Sequence, residues 1–250
     1  MKSIKILCIG NSFSCDMSEY APRILADLGY TVTFGNLHIG GCSLSTHLMH
    51  ARSGDRDYEF FTSSGGEWVS RPAGLQEGIL SSDWEIITLQ QASGFSGISE
   101  SYRANLWDLI DYVRRTATNP EVKLYWHKTW TYSQEFDHEY FNYYNRSQEV
   151  MYRAITNCVE NEVLPTNAFF GIIPNGDVIR QGRKIFQETL NRDGFHLSIP
   201  LGRYLAALSL VKKVTGVSLF RVRYAPDGLT EEVREQAVRC VEEVFTVANE

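Results

Sequence analysis

Residues 2–14, Lys-Ser-Ile-Lys-Ile-Leu-Cys-Ile-Gly-Asn-Ser-Phe-Ser, decide the fold class of this chain of 250 residues. The apolar segment Ile4–Ile9 predicts a short strand that is buried on both faces, as in a parallel sheet. It runs directly into the turn Gly10-Asn11-Ser12, and we predict a helix over roughly Ser18–Leu28. A strand, a turn and a helix in this order are typical of α/β proteins.

The same alternation of strands and helices continues along the chain. The four further predicted strands are Thr31–His38, Glu85–Leu89, Val122–His127 and Phe169–Ile173. We predict a single domain over residues 1–250, a three-layer α/β/α sandwich around a five-stranded parallel sheet. Two aromatic-rich stretches, near 53–72 and 127–145, are interpreted as insertions, and the first is a candidate hairpin beside the cleft. Ligands of such sheets bind at the carboxyl ends of the strands.

Composition narrows the classes of function. The net charge of -6 offers no basic surplus for nucleic acid. No stretch approaches the roughly 18 apolar residues of a membrane-spanning helix, so we expect no membrane partner. The five cysteines are scattered without a CxxC pair, which favours reduced thiols and a cytoplasmic location. A signal peptide removed ahead of this sequence stays open as an alternative, and so does the oligomeric state.

The segment Asp193-Gly-Phe-His196 carries the first candidate for chemistry. A serine hydroxyl is a weak nucleophile until a base takes its proton, and histidine titrates in the right range. An Asp three residues before a His can fix the tautomer of that His. Ser12, at the end of the first strand, is the matching nucleophile. The plainer alternatives are a helix cap at Ser12 and an Asp-Gly turn with a surface histidine.

Two further segments follow predicted strands and carry groups that can stabilise an oxyanion. Gly40-Gly41 comes after the second strand, and glycine lets a backbone N–H approach a ligand closely. Gln90-Gln91 comes after the third strand, where a side-chain amide can donate to an oxyanion. Each segment alone is ordinary, because Gly-Gly loops and Gln pairs are common.

In this order along the chain, the four motifs resemble those of the SGNH (GDSL-type) hydrolase superfamily. The Gly-Asn-Ser-Phe opening is most similar to a bacterial carbohydrate-esterase-like branch. The resemblance implies a flavodoxin-like fold with strand order 2-1-3-4-5 and the activity of a serine ester hydrolase. It implies that Ser12 is the nucleophile and an oxyanion donor through its own N–H, and that Asp193 and His196 complete the triad. Gly41 is then the second oxyanion donor, with Gly40 as the alternative.

Two positions depart from the superfamily's usual pattern. Asn11 stands where the first motif usually has Asp, and we expect little effect because that Asp is not a triad member. The third motif usually reads Gly-x-Asn-Asp, whereas residues 90–93 read Gln-Gln-Ala-Ser, with Ala92 in the Asn slot. The side-chain oxyanion donor is then Gln90 or Gln91, or it is missing.

Six histidines raise the question of a metal site. His47 and His50 have an i, i+3 spacing that can ligate a metal from one helix. HExxH is missing, however, and no carboxylate pair recurs at helical spacing, so we predict neither a metal nor another cofactor. A dinucleotide site is excluded because no GxGxxG follows the first strand. His127, at the end of the fourth strand, is interpreted as hydrogen-bonded scaffold.

Aromatic residues near the predicted cleft point to the substrate. Trp130 and Tyr132 lie just past a strand's carboxyl end, and Trp68 lies in the first insertion; flat faces with polar neighbours suit a sugar ring. We therefore predict hydrolysis of short acyl esters, foremost acetyl, on a small-molecule or glycan substrate. The alternatives are a lipase-type or thioesterase-type acyl hydrolase and a non-catalytic carbohydrate-binding protein. The second insertion, whose aromatic residues include Phe136 and Tyr140, is interpreted as a substrate wall, and the alternative is a second core over the sheet edge.

Overall fold

The computed structural model describes residues 2–247, which form one sheet between two layers of helices. Met1 and residues 248–250 of the predicted domain lie outside the described residues. The strands are β1 (Lys2–Gly10), β2 (Tyr30–His38), β3 (Tyr58–Ser63), β4 (Trp68–Ala73), β5 (Ile86–Leu89), β6 (Lys123–His127) and β7 (Gly171–Ile173). The α-helices are α1 (Ser12–Ser18), α2 (Ala21–Asp27), α3 (Leu44–Ser53), α4 (Leu75–Leu80), α5 (Glu100–Arg103), α6 (Leu106–Thr116), α7 (Gln148–Cys158), α8 (Asn175–Phe186), α9 (Leu201–Thr215) and α10 (Glu231–Val247).

The sheet contains the five predicted strands in the predicted order, but it has seven strands rather than five. Its order is β4-β3-β2-β1-β5-β6-β7, and β2, β1, β5, β6 and β7 pair in parallel. The first insertion supplies the other two strands, because β3 pairs antiparallel with β2 and then with β4. The buried side chains of Tyr58 and Phe60 attach this hairpin to the core, and it extends the edge of the sheet at β2.

Successive side chains of β1 point to opposite faces of the sheet, so the strand contributes to a separate core on each face. Ile4, Ile6 and Cys8 pack into one core cluster, and Leu7 and Ile9 pack into the other. Helices α2, α8, α9 and α10 cover the first face, and α3, α4 and α6 cover the second. Both faces of a strand are apolar in this arrangement, which explains why the strands read as continuous apolar runs.

The first helix begins earlier than the sequence predicts. The Asn11 side chain accepts a hydrogen bond from the N–H of Phe13, so it caps α1, which starts at Ser12 instead of Ser18. The predicted helix is also divided in two, since α2 begins with Pro22 in its first turn. As a result, Ser12 occupies the first turn of a helix directly above the carboxyl end of β1.

Within residues 2–247, none of the helices combines the length and the apolar character that crossing a lipid bilayer requires.

Candidate active site

Local hydrogen bonds shape the loop that carries His196. Asp193 Oδ1 accepts from the backbone N–H groups of His196, at 2.8 Å, and Phe195, at 3.3 Å. Gly194 has a φ of +91°, in the left-handed region that glycine adopts without strain. The turn therefore folds the Asp193 carboxylate back toward its own histidine, as the DxxH spacing predicts.

The structure places the three predicted triad residues in one hydrogen-bonded line. Asp193 Oδ2 lies 2.7 Å from His196 Nδ1, and His196 Nε2 lies 2.8 Å from Ser12 Oγ. Because the carboxylate only accepts, Nδ1 carries the proton and Nε2 is free to accept from the Ser12 hydroxyl. Burial raises the pKa of Asp193, but hydrogen bonds from the side chain and backbone of His196 outweigh it and hold this pKa below its usual value.

Ser12 and His196 open on a cavity of about 360 Å³. Gly40 and Gly41, from the loop after β2, form part of its wall, in agreement with their predicted place beside Ser12. Gly41 has a φ of +64°, while a Cβ built there would meet nothing within 4 Å, so its backbone conformation is what requires glycine.

Both glutamines predicted as oxyanion donors are engaged elsewhere, which corrects that prediction. Gln90 Nε2 donates to Asn11 Oδ1 at 2.8 Å. Gln91 Nε2 donates to Ser101 Oγ at 2.9 Å, and its Oε1 accepts from the N–H of Leu44. Both side chains are buried, and neither borders the cavity at Ser12. Their amides serve as internal cross-links between loops.

Two of the three aromatic residues predicted to bind substrate lie outside the cavity. Trp130 is fully buried: it stacks on Phe13 with ring centroids 4.1 Å apart, and its Nε1 donates to the carbonyl of Phe195 at 2.7 Å. Trp68 packs edge-on against Phe34, away from Ser12. Trp130 is therefore part of the core, whereas Trp68 is partly buried and packs against the core from the first insertion.

Tyr132, the third predicted substrate residue, does border the cavity. Its hydroxyl lies 3.0 Å from Ser93 Oγ, and Ser93 borders the cavity as well. Burial raises the pKa of Tyr132 to about 12, so the hydroxyl keeps its proton. The segments after β5 and β6 thus each contribute one hydroxyl to the cavity, from Ser93 and Tyr132 respectively.

Four further aromatic residues of the cavity wall were not singled out as substrate-binding residues, although the insertion that contains three of them was interpreted as a substrate wall. They are Phe136, His138, Tyr140 and Phe195. Phe195 lies inside the DxxH motif, and the other three lie in the predicted insertion at 127–145, which forms both a cavity wall and a core. Phe136, His138 and Tyr140 continue the run of aromatic residues that begins at Trp130 and Tyr132, and that run was the available signal in the sequence.

The histidine pair considered for a metal is divided between two environments. His47 Nδ1 lies 2.7 Å from the Tyr58 hydroxyl, whereas His50 Nδ1 lies 3.8 Å from a carboxylate oxygen of Asp57. Among the described residues, His50, Asp55 and Asp57 are the grouping whose ligand atoms lie close enough to share an ion. None of these residues borders the Ser12 cavity.

Comparison with known proteins identifies the family of the chain. The model of the DUF4886 family, a domain of unknown function, matches residues 5–241, so the chain belongs to that family. The crystal structure of a DUF4886 family protein from Bacteroides uniformis ATCC 8492 is 31% identical, with a TM-score of 0.94; the match covers 100% of this chain and 97% of that chain. The comparison with curated proteins finds no match.

More distant structures share the fold. The lipase/acylhydrolase from Enterococcus faecalis is 12% identical, with a TM-score of 0.54 over 89% of this chain and 99% of that chain. A carbohydrate esterase family 3 protein from Talaromyces cellulolyticus is 13% identical, with a TM-score of 0.52 over 85% of this chain and 97% of that chain. At these identities the similarity shows a shared fold alone, and the activity of this chain has to be argued from its own site.

Proposed function

We propose that this protein is a serine ester hydrolase that works through an acyl-Ser12 intermediate. The observation that carries the proposal is the line of hydrogen bonds from Asp193 through His196 to Ser12, with distances of 2.7 and 2.8 Å, ending at an open cavity. A nucleophile, a base and a carboxylate that orients the base are the parts that acyl transfer to serine needs.

The reaction follows from this geometry in two halves. His196 Nε2 takes the proton of the Ser12 hydroxyl while Oγ attacks the ester carbonyl, and Asp193 stabilises the imidazolium that forms. His196 then gives the proton to the departing alcohol, which leaves the acyl group on Ser12. A water molecule, deprotonated by the same histidine, hydrolyses the acyl-enzyme and restores the free serine.

The negative charge on the attacked oxygen needs hydrogen-bond donors at the cavity. The backbone N–H groups of Ser12 and Gly41 are the proposed first two. Ser93 and Tyr132 replace the glutamines as the proposed side-chain source. Their two hydroxyls share one mutual hydrogen bond, 3.0 Å long, so one of the two protons is left to donate to a bound ligand.

The substrate we propose is a short acyl ester, foremost acetyl, of a sugar hydroxyl. A cavity of about 360 Å³ is near the lower end of ligand-pocket volumes and favours a small acyl group. The side chains of Phe136, Tyr140 and Phe195 give it aromatic surface against which a sugar ring can pack, while Ser93 and His138 add polar groups. The similar fold of a carbohydrate esterase supports this choice of substrate class.

The test is turnover of p-nitrophenyl acetate and acetylated sugars by the purified protein. Ser12→Ala should abolish turnover, and mass spectrometry of the parent protein should detect an acetyl group on the peptide that contains Ser12. Ser18→Ala is the matched control, since this buried serine lies on the same helix outside the cavity, and it should keep the parent rate. Binding of the sugars without turnover would overturn the proposal in favour of a binding protein.

A further inference from the structure

A continuous chain of hydrogen bonds begins at Asn11, which borders the cavity, and continues behind the cavity wall through Gln90 to His127. We propose that Asn11, Gln90 and His127 form a one-directional positioning relay, which holds the Gly40-Gly41-Cys42 loop against the turn at Ser12. The inference rests on the proposed ester hydrolase function, because it assigns the relay the task of fixing the oxyanion donors. None of its side chains needs to touch the substrate.

Two backbone groups fix the orientation of the Asn11 amide. The N–H of Phe13 donates to Oδ1 at 3.0 Å, and the carbonyl of Cys42 accepts from Nδ2 at 3.0 Å. A backbone N–H can only donate and a backbone carbonyl can only accept, so the two ends of this amide cannot be exchanged. One side chain thus joins the first turn of α1 to the loop after β2.

The direction of every later bond follows from Asn11. Its Oδ1 is an acceptor, so Gln90 must donate to it through Nε2, at 2.8 Å. Gln90 Oε1 then accepts from His127 Nδ1 at 2.9 Å, which places the histidine proton on Nδ1. His127 Nε2 is left as an acceptor and receives a hydrogen bond from Asn175 Nδ2 at 3.0 Å.

Burial explains why the relay holds a single arrangement. Asn11, Gln90, His127 and Asn175 are all at most 2% exposed, so water does not compete for their hydrogen bonds. Burial also lowers the pKa of His127 to about 3, which keeps the ring neutral. Asn175 Oδ1 is buried without a hydrogen-bond partner, which costs free energy. The Asn175 amide keeps this orientation because Nδ2, rather than Oδ1, must face the acceptor His127 Nε2.

Packing fixes the middle of the relay as well. A Cβ added at Gly10 would lie 2.8 Å from Gln90 Oε1, so only glycine leaves room for this side chain at the end of β1. The relay therefore acts on the first turn of α1 and on the glycine loop together. Substitutions in the relay should lower kcat, because kcat depends on oxyanion donors that are aligned with the transition state. They should change KM much less.

A direct test is the protonation state of the His127 ring. Nitrogen-15 NMR of the full chain should find His127 neutral between pH 5 and pH 8, with its proton on Nδ1; His47, whose pKa burial also lowers to about 3, should stay neutral as well. The signal that disappears in His127→Asn is assigned to His127. A His127 ring that carries its proton on Nε2 would overturn the direction of the relay, whatever the activity of the protein.

Variants test the positioning role. Gln90→Met and His127→Leu remove donors without adding charge and should lower kcat roughly 10- to 100-fold, with KM changed much less, because small displacements of aligned groups have costs of this size. His127→Asn places an amide N–H near the position of Nδ1–H and should recover most of the lost kcat. The matched control is His50→Leu, because His50 is also buried but packs against Tyr58 and Asp57 rather than against the relay or the glycine loop.

The outcomes separate the relay from the proposed function. If kcat is no lower in His127→Leu than in the control His50→Leu, at equal thermal stability, the relay is overturned. The same holds if His127→Asn recovers no more activity than His127→Leu. Turnover that survives in Ser12→Ala would instead overturn the serine mechanism on which the relay's role rests.

Discussion

The carboxylate of Asp16 accepts a hydrogen bond of 2.7 Å from the backbone N–H of Leu197, the residue that follows His196. Asp16 lies on α1, one turn beyond Ser12, and is fully buried. Arg192 and Arg203 complete its surroundings, at 3.1 and 2.8 Å from Oδ1. A single side chain therefore connects the helix of the proposed nucleophile with the loop of the proposed base.

Asp16→Asn should lower kcat by roughly 10-fold or more, because the amide keeps the shape but loses the charge that holds Arg192 and Arg203, and the His196 loop can then shift. Steady-state kinetics of an acetyl ester measure the effect. Asp27→Asn is the matched control, since Asp27 also accepts from backbone N–H groups of a distant loop, at Arg223 and Tyr224. Equal kcat values for the two variants would show that Asp16 does not position the loop.

The hydroxyl pair at the cavity gives the second prediction. Ser93→Ala should lower kcat by roughly 10²- to 10³-fold if Ser93 donates to the oxyanion, since loss of one such donor has costs of this size. Tyr132→Phe removes the hydroxyl that shares a hydrogen bond with Ser93 but leaves the Ser93 proton free to donate, so it should have the smaller effect. Gln91→Met should leave kcat near that of the parent. A rate in Ser93→Ala equal to the parent's would remove this hydroxyl from the proposed mechanism.

Sequence patterns located the proposed nucleophile and base because their signals are local. The DxxH turn brings Asp193 to His196 within four residues, and Ser12 follows a strand whose direction fixes where it emerges. The roles of Gln90 and Trp130 could not be read in the same way. Their hydrogen bonds and packing involve Asn11 and Phe13, which are far away along the chain, so burial rather than residue type decides what they do.

The hairpin was only partly predictable for a related reason. The Ser-Ser-Gly-Gly turn at 63–66 indicates a reversal of the chain, but pairing of β3 with β2 depends on which edge of the sheet is open. The sequences of β3 and β4 indicate that these two strands pair with each other, but they do not indicate that β3 also pairs with β2. The number of strands was therefore wrong, while the order of the parallel strands was right.

Acid should destabilise the fold through two buried histidines. Burial lowers the pKa of His47 and His127 to about 3, from an ordinary value of 6.5. Between these values the unfolded chain binds protons that the folded chain excludes, so this stability is complete above pH 6.5 and is lost progressively as the pH falls toward 3. Each histidine contributes a slope of up to about 1.4 kcal/mol per pH unit in the free energy of unfolding.

Urea unfolding at pH 7 and pH 5 measures this slope. Between pH 7 and pH 5, the free energy of unfolding should fall less in His47→Leu than in the parent protein. The difference should equal the contribution of one histidine that stays neutral in the folded state, whatever the stability of the variant at pH 7. His138→Leu is the control, because His138 is partly exposed at the cavity. The same slope in His47→Leu and the parent would contradict the neutral state of His47.

Ester hydrolysis should survive the removal of metal ions. The proposed mechanism obtains its base from His196 and its charge stabilisation from hydrogen-bond donors, so no step requires a Lewis acid. Rates measured after dialysis against EDTA should equal those before it. A loss of activity that zinc restores would contradict this mechanism and would direct attention to His50, Asp55 and Asp57, whose ligand atoms lie within 4.8 Å of one another.

The aromatic wall decides between a sugar ester and other esters. Phe136→Ala and Tyr140→Ala should raise KM for an acetylated sugar more than for p-nitrophenyl acetate, if the sugar ring packs on these side chains. Trp130→Ala is the informative contrast: this ring is buried against Phe13, so its loss should lower the free energy of unfolding by about 3–5 kcal/mol rather than act through KM alone.

Across acyl groups, kcat/KM should fall steeply beyond acetyl, since each methylene that does not fit costs roughly 1–3 kcal/mol. Faster hydrolysis of octanoyl than of acetyl esters, or equal effects of the wall variants on both substrates, would contradict the carbohydrate assignment while leaving the Ser12 chemistry intact.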